Sequence, residues 1–132
     1  AEYDPPANYK LLKILEIDDV CLDVCLDPEK PPLMVIDPRA GHGPGIGGFK
    51  KESEVGIALH EGYPVYFVVF APDPAPGQTL ADVLHALRRF VGTLSSLHGD
   101  KPPILYGNCQ GGWAAALLAA SCAGLAGPVV MN

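Results

Sequence analysis

"ILYGNCQGGWAAALLAASCAGL", residues 104–125, contains the junction on which the fold turns. The apolar run from Ile104 to Tyr106 reads as a strand, and the alanine- and leucine-rich run from Gly111 to about Ala123 reads as a helix. Between them lies Gly107-Asn108-Cys109-Gln110-Gly111, a cysteine with a glycine two residues before it and another two after. Small residue, any residue, nucleophile, any residue, small residue is the pattern of a nucleophile elbow. Its nucleophile occupies a strained strand-to-helix turn, so both flanking positions must be small for strand and helix to approach. The side chain then stands exposed at the positive end of a helix, where backbone N–H groups face a developing oxyanion. Sulfur in that place forms thioester intermediates, which suits acyl transfer from another thioester.

Outward from this junction, strands and helices take turns. "YKLLKILEI" and "VCLDVCLD", divided by Asp18-Asp19, read as an antiparallel strand pair, the second member alternating apolar and polar residues. "PPLMVID", residues 31–37, is a short apolar strand followed by the glycine-rich loop "PRAGHGPGIGG". Residues 49–62 carry Val55, Ile57, Ala58 and Leu59 among charges, which suits a helix. "YPVYFVVF", residues 63–70, is β-branched and aromatic throughout, as a strand covered on both faces should be. After a proline-rich break, Thr79 caps a helix to about His98, because Leu80, Val83, Leu84, Leu87, Phe90, Val91 and Leu94 recur at helical spacing. "PVVMN" closes the chain as a last strand. The pattern predicts an α/β fold: a mostly parallel sheet with helices on both faces, entered through an N-terminal antiparallel strand pair. In such sheets ligands meet the loops at the carboxyl ends of the strands. Two loops qualify, Pro38 to Gly48 and Gly107 to Gly112.

Composition narrows the function. At 132 residues and 48 % hydrophobic content the chain fits one domain with a core. A formal net charge of −6, with basic residues scattered, makes nucleic acid and anionic membrane surfaces poor partners. No run approaches the roughly 18 apolar residues of a membrane span. Residues 1–10 lack the order of a signal peptide, so the expected compartment is the cytoplasm. The four cysteines read as free thiols. Cys21 and Cys25 read as two small residues on one face of a strand, with no metal site implied and no cofactor expected.

"GNCQGGWAAALLAA", "DPRAGHGPGIGGFK" and "PVYFVVFAPDPAPGQTLADV" together resemble an uncharacterised bacterial α/β-hydrolase family related to polyhydroxyalkanoate (poly-3-hydroxybutyrate) synthases, over about residues 8–132. The synthases carry a glycine-any-cysteine-any-glycine-glycine box whose cysteine holds the growing hydroxyacyl chain. The resemblance implies an α/β-hydrolase-like fold, with Cys109 as nucleophile and the Gln110 N–H in the oxyanion hole. The implied partner is a small-molecule acyl ester or acyl-CoA. Acid and histidine of the triad follow the nucleophile in that fold, yet His42, His60, His85 and His98 all precede Cys109. The chain also begins without methionine and ends in a strand. The expectation is therefore a partial domain over 1–132, truncated after the strand that follows the nucleophile helix, with base and acid downstream and little turnover by this chain alone.

Remaining site candidates cluster at the same predicted sheet edge. His42 in "GHGPG" is the one histidine placed to carry a proton or organise the loop, and Gly41 beside it is a candidate oxyanion donor. Asn108, Gly43 and Asp73 are candidate substrate contacts. His60, His85 and His98 read as solvent-facing, Trp113 as a wedge between helix and sheet, and Asp37 with Arg39 as a loop-fixing pair. Two other classes of function remain open. Gly43 to Gly48 matches G-x-G-x-x-G and would make a nucleotide- or phosphate-binding domain, although Pro44 removes an N–H and no acidic residue ends the next strand. A non-enzymatic fragment that binds a partner through an open sheet edge is the other.

Overall fold

Alternation of side chains along the central strands sorts the protein into three layers. The computed structural model describes residues 8–17, 20–21, 26–38, 53–71, 73 and 75–132. In chain order the elements are β1 (Tyr9–Lys13), β2 (Glu16–Ile17), β3 (Val20–Cys21), β4 (Leu33–Ile36), α1 (Glu54–His60), β5 (Val65–Phe70), α2 (Leu80–Leu97), β6 (Ile104–Gly107), α3 (Gln110–Ser121) and β7 (Val129–Met131). Five of the strands form one mixed sheet in the order β1-β5-β4-β6-β7. β4 to β7 run parallel, and β1 is antiparallel to β5.

Successive strand residues face opposite ways, so each strand feeds two cores. Met34, Ile36, Tyr66, Val68 and Leu105 pack beneath α2 and α3. Val35 and Val65, with Phe67 and Tyr106 partly buried, pack against Val55 and Leu59 of α1 on the opposite face. Helices therefore cover both faces, as the alternation of elements predicts. On α2 the buried set is Ala86, Leu87, Phe90, Val91 and Leu94. Each of its large apolar side chains contributes roughly 1.5–3 kcal/mol by burial. Leu80, which shares their spacing, lies one turn too early to reach the sheet and is half exposed. α1 is shorter than the sequence suggests: Ser53 caps it by accepting the Gly56 N–H at 3.0 Å. Residues 49–52 lie outside the described residues.

The N-terminal strand pair is only partly as expected. Glu16–Ile17 does pair antiparallel with Val20–Cys21 in a separate two-stranded ribbon. Tyr9–Lys13, however, pairs with β5, in register Tyr9↔Phe70 to Lys13↔Tyr66. The physical reason is the length and cover of the alternatives. The edge of β5 gives β1 five paired positions and lets Tyr9 and Leu11 join the core beneath α2 and α3, whereas the ribbon pairs two residues on each strand. Cys25 lies outside the described residues.

β4 is the point at which the order of the sheet reverses. From β4 the chain passes through α1 to β5 on one side, then through α2 to β6 on the other. In open α/β sheets the crevice beyond the carboxyl ends at such a switch point is where ligands bind. Ile36 at the end of β4 pairs with Gly107 at the end of β6, so the loops leaving both strands start side by side.

Candidate active site

Cys109 stands at that switch point, in the turn that joins β6 to α3. Its backbone lies at φ 53°, ψ −120°, a left-handed φ that few residues other than glycine adopt. These are close to the values of the first central position of a type II′ turn, about +60° and −120°. The turn is closed by the Gly111 N–H donating to the Asn108 carbonyl at 2.8 Å. Both peptide groups flanking Cys109 are also held. Its N–H donates to the Asn132 carbonyl at 2.9 Å, and its own carbonyl accepts the Gly112 N–H at 3.0 Å.

The flanking glycines are required by contact. A Cβ on Gly107 would lie 2.1 Å from the Gly111 carbonyl oxygen, and one on Gly111 would lie 2.4 Å from the Ile36 carbonyl oxygen. Both clashes are with backbone, so no rotamer relieves them. Thus the first turn of α3 rests directly on the ends of β4 and β6. The thiol, by contrast, is exposed, while Cys122 at the far end of α3 is buried.

α3 begins on Cys109 without a side-chain cap. Among the described residues the Gln110 N–H has no hydrogen-bond acceptor, which leaves a donor beside the thiol. Asn108 is half-buried, and Asp73 is exposed beyond the carboxyl end of β5, its carbonyl accepting from the Asn8 side-chain amide at 2.8 Å. His42, Gly41 and Gly43 lie outside the described residues, as do Arg39 and the Gly43–Gly48 loop.

Below Cys109, on the α1 side of the sheet, is a polar group that the sequence reading missed. The pKa of the Tyr106 hydroxyl is pushed up to about 12, first by burial and then by the Glu54 carboxylate of α1. Among the described residues, Glu54 Oε2 is buried without a hydrogen-bond partner. A tyrosine in a four-residue core strand is the one hint in the sequence, since a buried hydroxyl needs partners.

Two side chains depart from expectation. Trp113 is 50 % exposed on the outer face of α3: the close approach enforced by Gly107, Gly111 and Gly112 leaves the inner face of the first turns to glycine and alanine, with Leu118 buried further along. His98 is not a solvent-facing residue. Its Nε2 lies 2.9 Å from the Tyr66 hydroxyl, and burial, with Lys13 and Lys101 nearby, pushes its pKa below the usual value. His98 belongs to a cavity of about 460 Å³ at the opposite, amino-terminal edge of the sheet, lined also by Lys13, Leu26, Pro64 and Lys101. His60 and His85 are exposed as expected. Among the described residues no three histidine, cysteine or acidic side chains group as metal ligands, and no helix is long and apolar enough to cross a membrane.

A family model described as "Protein of unknown function (DUF3141)" matches residues 1–132, and the chain belongs to that family. It is 44 % identical over 130 residues to a protein of Rhizobium meliloti described as "Uncharacterized protein in ackA 5'region". The match takes in 97 % of this chain and 17 % of that protein, so the chain spans about a sixth of the length of its relative. No solved structure matches the chain.

Proposed function

We propose that this member of the DUF3141 family carries the nucleophile-bearing part of an acyl-transferring or acyl-hydrolysing enzyme of α/β-hydrolase type, acting through Cys109. One observation carries the reading: an exposed thiol held at positive φ in a turn whose flanking glycines admit no Cβ, at the start of an uncapped helix. A non-glycine residue in such a conformation costs about 1–3 kcal/mol, and strain of this kind gathers at functional sites. The strand order around β4, the helices on both faces and the resemblance to polyhydroxyalkanoate synthases support the same reading.

In the proposed reaction the Cys109 thiolate attacks the carbonyl carbon of an acyl thioester or ester. A new C–S bond forms and the carbonyl oxygen takes up negative charge, which the Gln110 N–H meets as a hydrogen-bond donor. Gly41 is the proposed second donor. Collapse breaks the bond to the leaving thiol or alcohol and leaves the acyl group on Cys109. Attack by water or an acceptor hydroxyl then releases it and restores the thiolate. His42 is the proton carrier that this sequence offers, and the base and acid of a full triad are proposed to come from beyond residue 132. Asn108, Gly43 and Asp73 are the proposed substrate contacts.

The test is the intact mass of the full-length protein after exposure to 3-hydroxybutyryl-CoA, with the modified peptide located. An acyl adduct on Cys109 that is absent from Cys109→Ala supports the reading. An unmodified wild type, or an adduct that persists in Cys109→Ala, overturns it.

A further inference from the structure

We propose that the cavity at the amino-terminal edge of the sheet is a binding site for a small organic acid, whose carboxylate meets Lys13 and Lys101 and whose apolar body rests on Leu26, Leu97 and Pro64. The site lies at the other end of the strands from Cys109 and does not depend on the reading of that residue.

Distant parts of the chain build the cavity. Lys13 ends β1, Leu26 and Pro28 precede β4, Pro64 precedes β5, and His98 and Lys101 follow α2. Because β1 runs antiparallel to β5, its last residue arrives where β5 begins, and Lys13 pairs there with Tyr66. Paired residues of neighbouring strands point to the same face, so Lys13 stands on the side where Tyr66 meets His98. The volume of about 460 Å³ is that of a small-molecule site, for which roughly 300–1,000 Å³ is usual, and apolar walls with a few polar groups are the usual lining.

The polar groups are held in place. The Lys101 ammonium donates to the Pro28 carbonyl at 2.8 Å, and its side chain is 32 % exposed. An ammonium carries three protons, so this bond leaves others for a ligand. Glu29 lies 3.5 Å from it, beyond the roughly 2.7–2.9 Å of a charge-assisted hydrogen bond, and is exposed enough for solvent to screen the pair. The His98 ring is fixed by two contacts with Tyr66: Nε2 lies 2.9 Å from the hydroxyl, and the rings meet edge-on at 5.6 Å. Burial, then Lys13 and Lys101, hold the His98 pKa below its ordinary value, so at pH 7 the ring lines the cavity without adding a third positive charge.

Charge selects the ligand. Among the described residues of the lining, two lysines stand against one acid, Asp27, whose Oδ1 already accepts the Glu29 N–H at 2.9 Å. One carboxylate therefore neutralises the cavity, whereas a dianion would leave it negative. Leu97, which ends α2, is 66 % exposed, and an apolar ligand body would cover it.

Calorimetric titration of the full-length protein with benzoate reads the site. Benzoate binds saturably, and benzamide, the same body without the charge, binds about tenfold more weakly or less. Lys13→Met keeps an apolar stem and weakens benzoate about tenfold, and Lys101→Met, which also loses the bond to Pro28, weakens it at least as much. Lys10→Met, on β1 but outside the cavity, binds as wild type does, and so does Cys109→Ala. Absence of saturable benzoate binding, equal affinity for benzamide, or wild-type affinity in either folded cavity-lysine variant would overturn the proposal. Loss of binding in Cys109→Ala would place the acid at the thiol and overturn it as well.

Discussion

α2 and α3 lie side by side on one face of the sheet and begin in opposite ways. α2 opens with a capping box. The Thr79 hydroxyl accepts the Asp82 N–H, and the Asp82 carboxylate accepts the Thr79 N–H at 2.8 Å, which also holds the Asp82 pKa below the usual carboxylate value. α3 opens on Cys109, in a strained conformation, with no side-chain cap. The first start serves stability, because orphan N–H groups meet partners within their own turn. The second gives up that stability and leaves an N–H group and a thiol together at an exposed helix end. The contrast extends along their length. α2 has one apolar face and one solvated face, whereas α3 buries glycines, alanines and Leu118 and presents Trp113 and Leu117 outward.

The contrast breaks most severely at Gly107. Gly107→Ala places a methyl group within 2.4 Å of two backbone atoms of Gly111. It destabilises the protein by about 3 kcal/mol in chemical denaturation, because neither the strand nor the helix can yield. Gly92→Ala on α2, where a Cβ meets nothing within 4 Å, is the control and does not destabilise.

Next in size is a pair of substitutions with opposite signs at the two helix starts. Thr79→Ala removes the cap of α2 and costs about 1 kcal/mol. Cys109→Gly relieves the positive φ of α3 and gains about 1 kcal/mol while removing the thiol. Thermal unfolding of the two variants beside wild type checks both signs. A Cys109→Gly protein no more stable than Cys109→Ala would show that the turn stores no strain.

The smallest effect sharpens a different comparison, that between the two edges of the sheet. At the amino-terminal edge the Tyr66 hydroxyl, whose pKa burial raises, shares a hydrogen bond with Nε2 of the neutral His98 ring. The His98 pKa is lowered first by burial and then by Lys13 and Lys101, so the unfolded chain takes up the proton more readily than the folded one. Stability is therefore level above about pH 6.5 and falls as the pH drops below that value, towards the lower pKa of the folded state. Melting temperatures measured from pH 7.5 down to pH 5 show this decline, and His98→Gln flattens it.

Much of the fold was legible because local patterns and tertiary demands agree. Thr79 and the spacing from Val83 to Leu94 mark α2 at both ends, and the apolar runs at 33–36, 65–70 and 104–106 each become a sheet strand. β1 was not legible. Its alternation suits either a hairpin with the next segment or the edge of a distant strand, and the choice was made by β5, more than fifty residues away. Trp113 misled for a similar reason: its size suggests an inner wedge, but helix and sheet lie too close there to admit it. Of the candidate site, the glycine spacing around Cys109 was open to reading because its cause is steric and local. The bond from the Cys109 N–H to the Asn132 carbonyl was not, since the two residues are far apart in the chain and Asn132 lies outside the Gly107–Gly111 motif.

The sequence by itself determined the alternation of strands and helices, the position of the turn at 107–111 and the residue that occupies it. Hydrophobic period, capping chemistry and the size of side chains act within a few residues, so they can be read along the chain. Only the tertiary structure decided which strands lie side by side, that β4 is the reversal point whose end lies beside that of β6, and which backbone groups hold Cys109. Those outcomes depend on hydrogen bonds and contacts closed across the sheet, and a pairing among distant segments is selected by the whole fold rather than by either segment alone.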